Sequence, residues 1–151
     1  MESPDPSVRR RAVESISKSE DKKMVPVLFN FLSDQDFTVR LAAIDALSDW
    51  GPIVPSDQLV AMALNHEDPR TRIAVLASGM ELPRSAVVES ALHDPSPHVR
   101  IEALQALEGS ENVRDVLMHA LKDTDPSVLE VAKEILNAMD EEEILQVTDE
   151  K

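Results

Sequence analysis

Ser96-Pro97-His98-Val99-Arg100-Ile101-Glu102-Ala103-Leu104-Gln105-Ala106-Leu107 reads as the opening of a helix, and the rest of the chain is read from it. Ser96 is of a residue type that caps free amides, and Pro97 falls at the first helical position, where its missing N–H costs nothing. Val99, Ala103, Ala106 and Leu107 then recur at helical spacing along one face. The same frame returns at Asp5-Pro6-Ser7-Val8-Arg9, Asp36-Phe37-Thr38-Val39-Arg40, Asp68-Pro69-Arg70-Thr71-Arg72 and Asp125-Pro126-Ser127-Val128-Leu129. The cap positions 5, 36, 68, 96 and 125 lie 31, 32, 28 and 29 residues apart. A period of that length marks a helical repeat array.

A second helix type recurs between these frames. Leu32, Leu64, Leu92 and Leu121 stand four residues before a cap; Leu28, Val60, Val88 and Leu117 stand eight before, and Val27, Leu59, Val87 and Val116 nine before. Each full repeat is therefore a helix A, a short acidic turn holding Asp34, Glu67, Asp94 or Asp123, and a capped helix B. Gly51, Gly79 and Gly109 fall near the ends of B helices, where a left-handed residue commonly stops the turn. Pro26 should kink its A helix or mark its first turn. The chain divides into repeats at about 1–18, 19–51, 56–80, 84–109 and 111–139, the first lacking its helix A. Residues 140–151, opening on Asp140-Glu141-Glu142-Glu143, form an acidic tail, or a cap docked through Ile144, Leu145 and Val147.

Composition narrows the function. Aromatics make up 3% of the 151 residues, so the core is built from Leu, Val, Ile and Ala. No apolar run is long enough for a membrane span, and the acidic, proline-containing opening Met1-Glu2-Ser3-Pro4-Asp5 is not a signal peptide. With no cysteine, disulfides, thiolate chemistry and Cys-based zinc sites are excluded, which fits a cytoplasmic location. The net charge of −14 argues against nucleic acid, since phosphate binding needs clustered Lys and Arg, and favours basic or neutral protein partners. No Gly-rich phosphate loop is present, and spacing alone supports no Ser-His-Asp arrangement.

Paired helices of about 30 residues with D-x-x-V-R at the start of helix B resemble HEAT-like repeats, most closely the compact kind shared by phycobilisome-lyase-type proteins. The resemblance implies an all-α, right-handed α-solenoid of five such units, the first a half repeat. It also implies a ladder in which Arg9, Arg40, Arg72 and Arg100 pair with loop aspartates such as Asp34, Asp94 and Asp123, in the same repeat or the next. A ladder would offset the cost of a cation in the first turn of a helix. His66-Glu67 is similar to the His-Glu pairs of HEAT-built deoxyhypusine hydroxylases, but the corresponding turns read Asp34-Gln35, Asp94-Pro95 and Asp123-Thr124. Neither a metal nor another cofactor is expected, and no catalytic residue is assigned.

In such solenoids helix B lines the inner surface, and HEAT-like repeats usually place a polar residue two positions after the Val. Here that position holds Leu41, Ile73 and Ile101, with Asp45, Ala77 and Gln105 four residues on. Two readings stand: an apolar binding surface with acidic neighbours, or packing between adjacent B helices. The first makes the protein a scaffold binding a basic, amphipathic helix or peptide; the alternative class is a chromophore-lyase-like subunit or another HEAT-built enzyme component. At the N-terminal edge, Val8, Ala12 and Ile16 have no helix A of their own, with Val13 as a further apolar flank. Missing upstream material and self-association through this edge both account for that.

Overall fold

The computed structural model describes residues 3–19, 21–50 and 56–149, and for 56, 58, 59, 63 and 142–149 the backbone alone. All regular elements among them are helical. They are α1 (Pro6–Ser19), a 3-10 turn (Lys22–Met24) leading into α2 (Val25–Phe31), α3 (Phe37–Asp49), α4 (Ser56–Asn65), α5 (Pro69–Ala77), α6 (Arg84–His93), α7 (Pro97–Ala106), α8 (Val113–Ala120) and α9 (Pro126–Asp149). The odd-numbered helices up to α9 are the B helices and the even-numbered ones the A helices. Gly51 and Pro52 lie outside the described residues.

The B helices start where the aspartates stand. The Oδ1 atoms of Asp5, Asp36, Asp68 and Asp125 accept from the backbone N–H of Ser7, Thr38, Arg70 and Ser127 at 2.8, 2.8, 3.0 and 2.9 Å, each satisfying one of the orphan donors of a first turn. Ser96 departs from expectation. Its backbone is extended as at any N-cap, but its hydroxyl makes no capping bond. The start of α7 is fixed instead by Pro97 and by the Ser96 carbonyl, which accepts from Val99 and Arg100 at 3.1 Å each. At the other end of two B helices, Gly79 and Gly109 adopt φ of +71° and +72°, which an L side chain rarely adopts.

The chain forms two compact bodies, residues 1–83 and 84–151. In the first, α3 packs on α1, α2 and α5, and α4 packs on α5. Its core gathers Val13, Leu28, Phe31, Leu32, Val39, Ala43, Ile44, Leu47 and Val75, with Trp50 and Met62 partly buried against it. In the second, α7 packs on α6 and α9, α8 on α9, and α6 on α8. Val99, Ala103, Leu104, Leu107, Leu117, Val128 and Ala132 are buried there. Many of these residues are Ala or Val, which brings helix axes close without aromatic filler.

Two expectations change. Ala106 is exposed and Leu104 takes its place in the core. A B helix packs on another B helix as well as on an A helix, so its buried arc is wider than one amphipathic stripe. Helix α9 does not end near Met139 but continues through Asp149. The stretch Asp140–Glu143 contains no Gly or Pro to stop it, and Arg114 of α8 donates to the exposed Asp140 carboxylate at 2.6 Å, tying that region of the helix to its neighbour. The side chains of Ile144, Leu145 and Val147 lie outside the described residues.

A polar joint between repeats and a candidate binding surface

One residue past the position held by Val8, Val39, Thr71 and Val99, each of the first four B helices carries an arginine whose geometry recurs. Its Nη1 donates to the carbonyl two residues before its own cap. Arg9 reaches Ser3 at 2.7 Å, Arg40 reaches Asp34 at 2.6 Å, Arg100 reaches Asp94 at 2.7 Å, and Arg72 reaches His66. The other edge of the guanidinium reaches forward. Arg9 grips Asp34 through Nε and Nη2, both at 2.7 Å, and Arg100 grips Asp123 at 2.7 and 2.8 Å. These carboxylates in turn accept the amide of the next cap, Asp34 from Asp36 at 2.9 Å and Asp123 from Asp125 at 2.8 Å. A planar fork that binds one carboxylate bidentately and one carbonyl singly suits arginine and not lysine.

The joint at Arg40 is built differently. Two residues before the cap Asp68, where Asp34, Asp94 and Asp123 stand in their turns, the chain has His66. Its Nδ1 accepts the Asp68 amide at 3.1 Å, replacing the carboxylate as a local acceptor but offering nothing to a guanidinium. Arg40 therefore bonds through Nη2 to the cap itself, Asp68, and through Nε to the Thr71 hydroxyl at 2.9 Å. Thr71 is fully buried at the position held elsewhere by Val39, Val99 and Val128. Asp68 also receives Arg70, and the Phe37 ring lies 4.6 Å from the Arg70 guanidinium carbon and 5.7 Å from that of Arg40, within cation–π range.

Charge in these joints follows the geometry. Hydrogen bonding from Arg9 holds the Asp34 carboxyl below the ordinary aspartate value, against an upward push from burial. At Asp123 burial is the largest influence and pushes upward, but the bonds from Arg100 and from the backbone amides outweigh it and the net direction is down. Hydrogen bonding from Arg70 leads the lowering at Asp68.

The surface two positions after the Val is mixed. Leu41 and Ile73, on the adjacent helices α3 and α5, are half-buried, and Asp45 and Ala77 one turn on are exposed. Partial desolvation and the neighbouring Asp49 carboxylate push the Asp45 pKa upward, since removing water and adding like charge both disfavour ionisation. In the second body Ile101 is half-buried and Gln105 exposed on α7, and the same register of the adjacent α9 holds the exposed Glu130 and Glu134.

Repeated A/B pairs, joined through an arginine that bridges consecutive turns, are matched by the family model of HEAT repeats over residues 1–79 and 85–147. The chain is a HEAT-repeat protein. It is similar to the "uncharacterized phycocyanin operon protein Z" of Pseudanabaena tenuis (strain PCC 7409), with 28% identity over 153 aligned positions that take in 92% of this chain and 73% of the relative.

Within this HEAT array, Arg9 with Asp34 and Arg100 with Asp123 meet as bidentate pairs of the expected ladder. Arg40 pairs with a carboxylate outside the expected set, Asp68. Arg72 bonds to turn carbonyls of its own repeat, and Asp94 accepts the Ser96 amide at 2.8 Å. The residues missed are His66 and Thr71. Both break the repeat register in the same repeat, and counting two back and three forward from each cap would have found them. Among the described residues no group of three or more His, Asp and Glu could hold a metal ion, and no helix is long and apolar enough to cross a membrane.

Proposed function

We propose that this HEAT-repeat protein is a non-enzymatic interaction scaffold whose B-helix surface holds a basic, amphipathic helix or peptide. The observation that carries this reading is the pairing, on packed neighbours α3 and α5, of half-buried Leu41 and Ile73 with the exposed carboxylates Asp45 and Asp49. Apolar side chains left partly open beside like charges are expensive to leave to water and favourable to cover with a partner of opposite sign. Ile101 with Gln105, beside Glu130 and Glu134, offers the same combination in the second body. A HEAT array supports a scaffold role because stacked helices present one repeated face.

A fluorescence titration tests it, using a lysine-flanked amphipathic helical peptide against the full chain. Ile73→Glu and Asp45→Lys should each weaken capture at least tenfold while circular dichroism stays unchanged. Unchanged affinity in both variants would remove the reading. A second reading rests on the name of the phycocyanin-operon relative: a chromophore-lyase-like component acting with a linear tetrapyrrole. A shift of bilin absorbance on mixing with the purified chain would favour it.

A further inference from the structure

Helix α1 leaves open two register positions that every later B helix buries. Val8 is 42% exposed, whereas its register mates Val39, Thr71, Val99 and Val128 are all at 0%. Ala12 is exposed where Ala43, Ala103 and Ala132 are at 0% and Val75 at 1%. Ser15 and Ser19 continue the same face at helical spacing and are exposed. Arg11 and Lys18, both exposed, project along one edge of it, and the opposite edge runs through half-buried Ile16 to Val13, which is buried in the core.

We propose that this face takes an amphipathic, acidic-flanked helix of another polypeptide. Packed against α9 is the A helix α8, whose buried Val113, Val116, Leu117 and Ala120 stand at i, i+3, i+4 and i+7. The repeat itself therefore shows what complements such a face: a short helix with that spacing. Arg11 and Lys18 set the sign of the flank, because a carboxylate beside a helix seated on Val8 and Ala12 meets two cations there.

A second copy of this chain fits the face poorly. Stacked head to tail, its α9 would bring Leu129 where an arginine makes the forward joint, and α1 would answer with Ser3 where a carboxylate receives it. It would also bring the exposed Lys133, which stands where Val13, Ile44, Leu76 and Leu104 are buried, toward Arg11 and Lys18. Neither the polar joint nor the charge is satisfied that way.

The probe is a synthetic helical peptide carrying the Val–Val–Leu–Ala spacing of α8 with glutamates on both flanks, and a twin with lysines in their place. In fluorescence anisotropy against the full chain, the binding that Val8→Asp removes should favour the glutamate peptide at least tenfold over its twin, whereas capture of the twin by the B-helix surface proposed above persists in Val8→Asp. Val8→Asp should abolish binding of the glutamate peptide while the melting temperature stays near wild type, and Ser15→Glu gives a second, independent block of the same face. The double charge swap Arg11→Glu with Lys18→Glu should reverse the preference between the peptides. Equal Val8-dependent affinity for the two, no binding of the glutamate peptide, or glutamate-peptide binding indifferent to both Val8→Asp and Ser15→Glu would overturn the proposal. So would concentration-dependent dimerisation in sedimentation velocity that Val8→Asp abolishes, since the face would then belong to a second copy.

Discussion

Helices α1 and α9 are both B helices, yet their outward faces are written differently. In α9 the position that would meet a following B helix is Lys133, exposed, where the four earlier B helices bury Val13, Ile44, Leu76 and Leu104. In α1 the position that a preceding helix would cover is still Val8, with Ala12 one turn on, and both are exposed. A solvated edge of an array is normally polar, because no repeat gains by exposing what its neighbours bury. Lys133 follows that rule and Val8 does not. The same residue type at one register position thus does two jobs, core in three repeats and open surface in the first.

Substitutions at matched positions sharpen the contrast, and the largest effect should come from the core. Val39→Asp buries a charge with no partner and should cost more than about 4 kcal/mol, unfolding the first body. The same change at Val8, in the same body, should stay within about 0.5 kcal/mol. Urea melts of the two variants make the comparison, and similar losses would erase it.

Next in size is the polar joint. Removing Arg100 leaves Asp123 without its bidentate partner in a site where both side chains are nearly buried (12% and 11% exposed), so Arg100→Ala should cost about 2–3 kcal/mol. Leu129, the α9 residue in the arginine position, makes no such joint, so Leu129→Arg should add nothing comparable. Thermal denaturation of both variants decides.

Acid should act in two opposing directions. Asp34 and Asp123 have folded pKa values below the ordinary 3.8, so their contribution is complete above that value and lost as pH falls below it through the folded values. Asp45 has a raised folded value; its ionisation costs stability at neutral pH, and that cost is relieved as pH falls through the raised value. A stability profile should therefore show a shallow gain on mild acidification before the steep loss. Asp45→Asn should remove the gain, and Asp34→Asn should soften the loss. The smallest effect is expected from Lys133→Leu, which restores the register residue on α9: stability near wild type, with self-association appearing at high concentration in light scattering.

The repeats, the helix pairs and the aspartate caps were legible because each depends on residues a few positions apart. A carboxylate followed two residues later by the amide it accepts needs no tertiary information, and the 28–32-residue period supplies the rest. Ser96 marks the limit of that kind of reading: it has the right type and backbone, but Pro97 and the carbonyl do the work. The pairing of Arg40 was not legible, because it depends on which acceptors a guanidinium meets about 30 residues away in sequence. Its sign was visible only as two coincident irregularities, His66 and Thr71. The reach of α9 beyond Asp140 was not legible, because an acidic run has the composition of a tail, whereas its helix propensity and Asp140's bond to Arg114 carry the helix on. Of the candidate binding surface, the residue positions were legible; the half-burial of Leu41, Ile73 and Ile101 was not, since it depends on the neighbouring helices.

The polar joint has a sense of direction: a guanidinium looks back to its own turn and forward to the next, and the forward turn answers with a carboxylate or, at Thr71, a hydroxyl. Gene duplication acts on such an object as on a sentence with a grammar. A copied segment that begins two residues before one cap and ends three before the next hands on a receiving turn and a donating arginine together. It can be spliced in without orphaning either. A segment that is not a whole number of repeats long separates donor from acceptor at its seam. The permitted length of a duplicated segment is thereby set by a hydrogen-bond pattern, and arrays of this kind can lengthen or shorten only in steps that keep it whole.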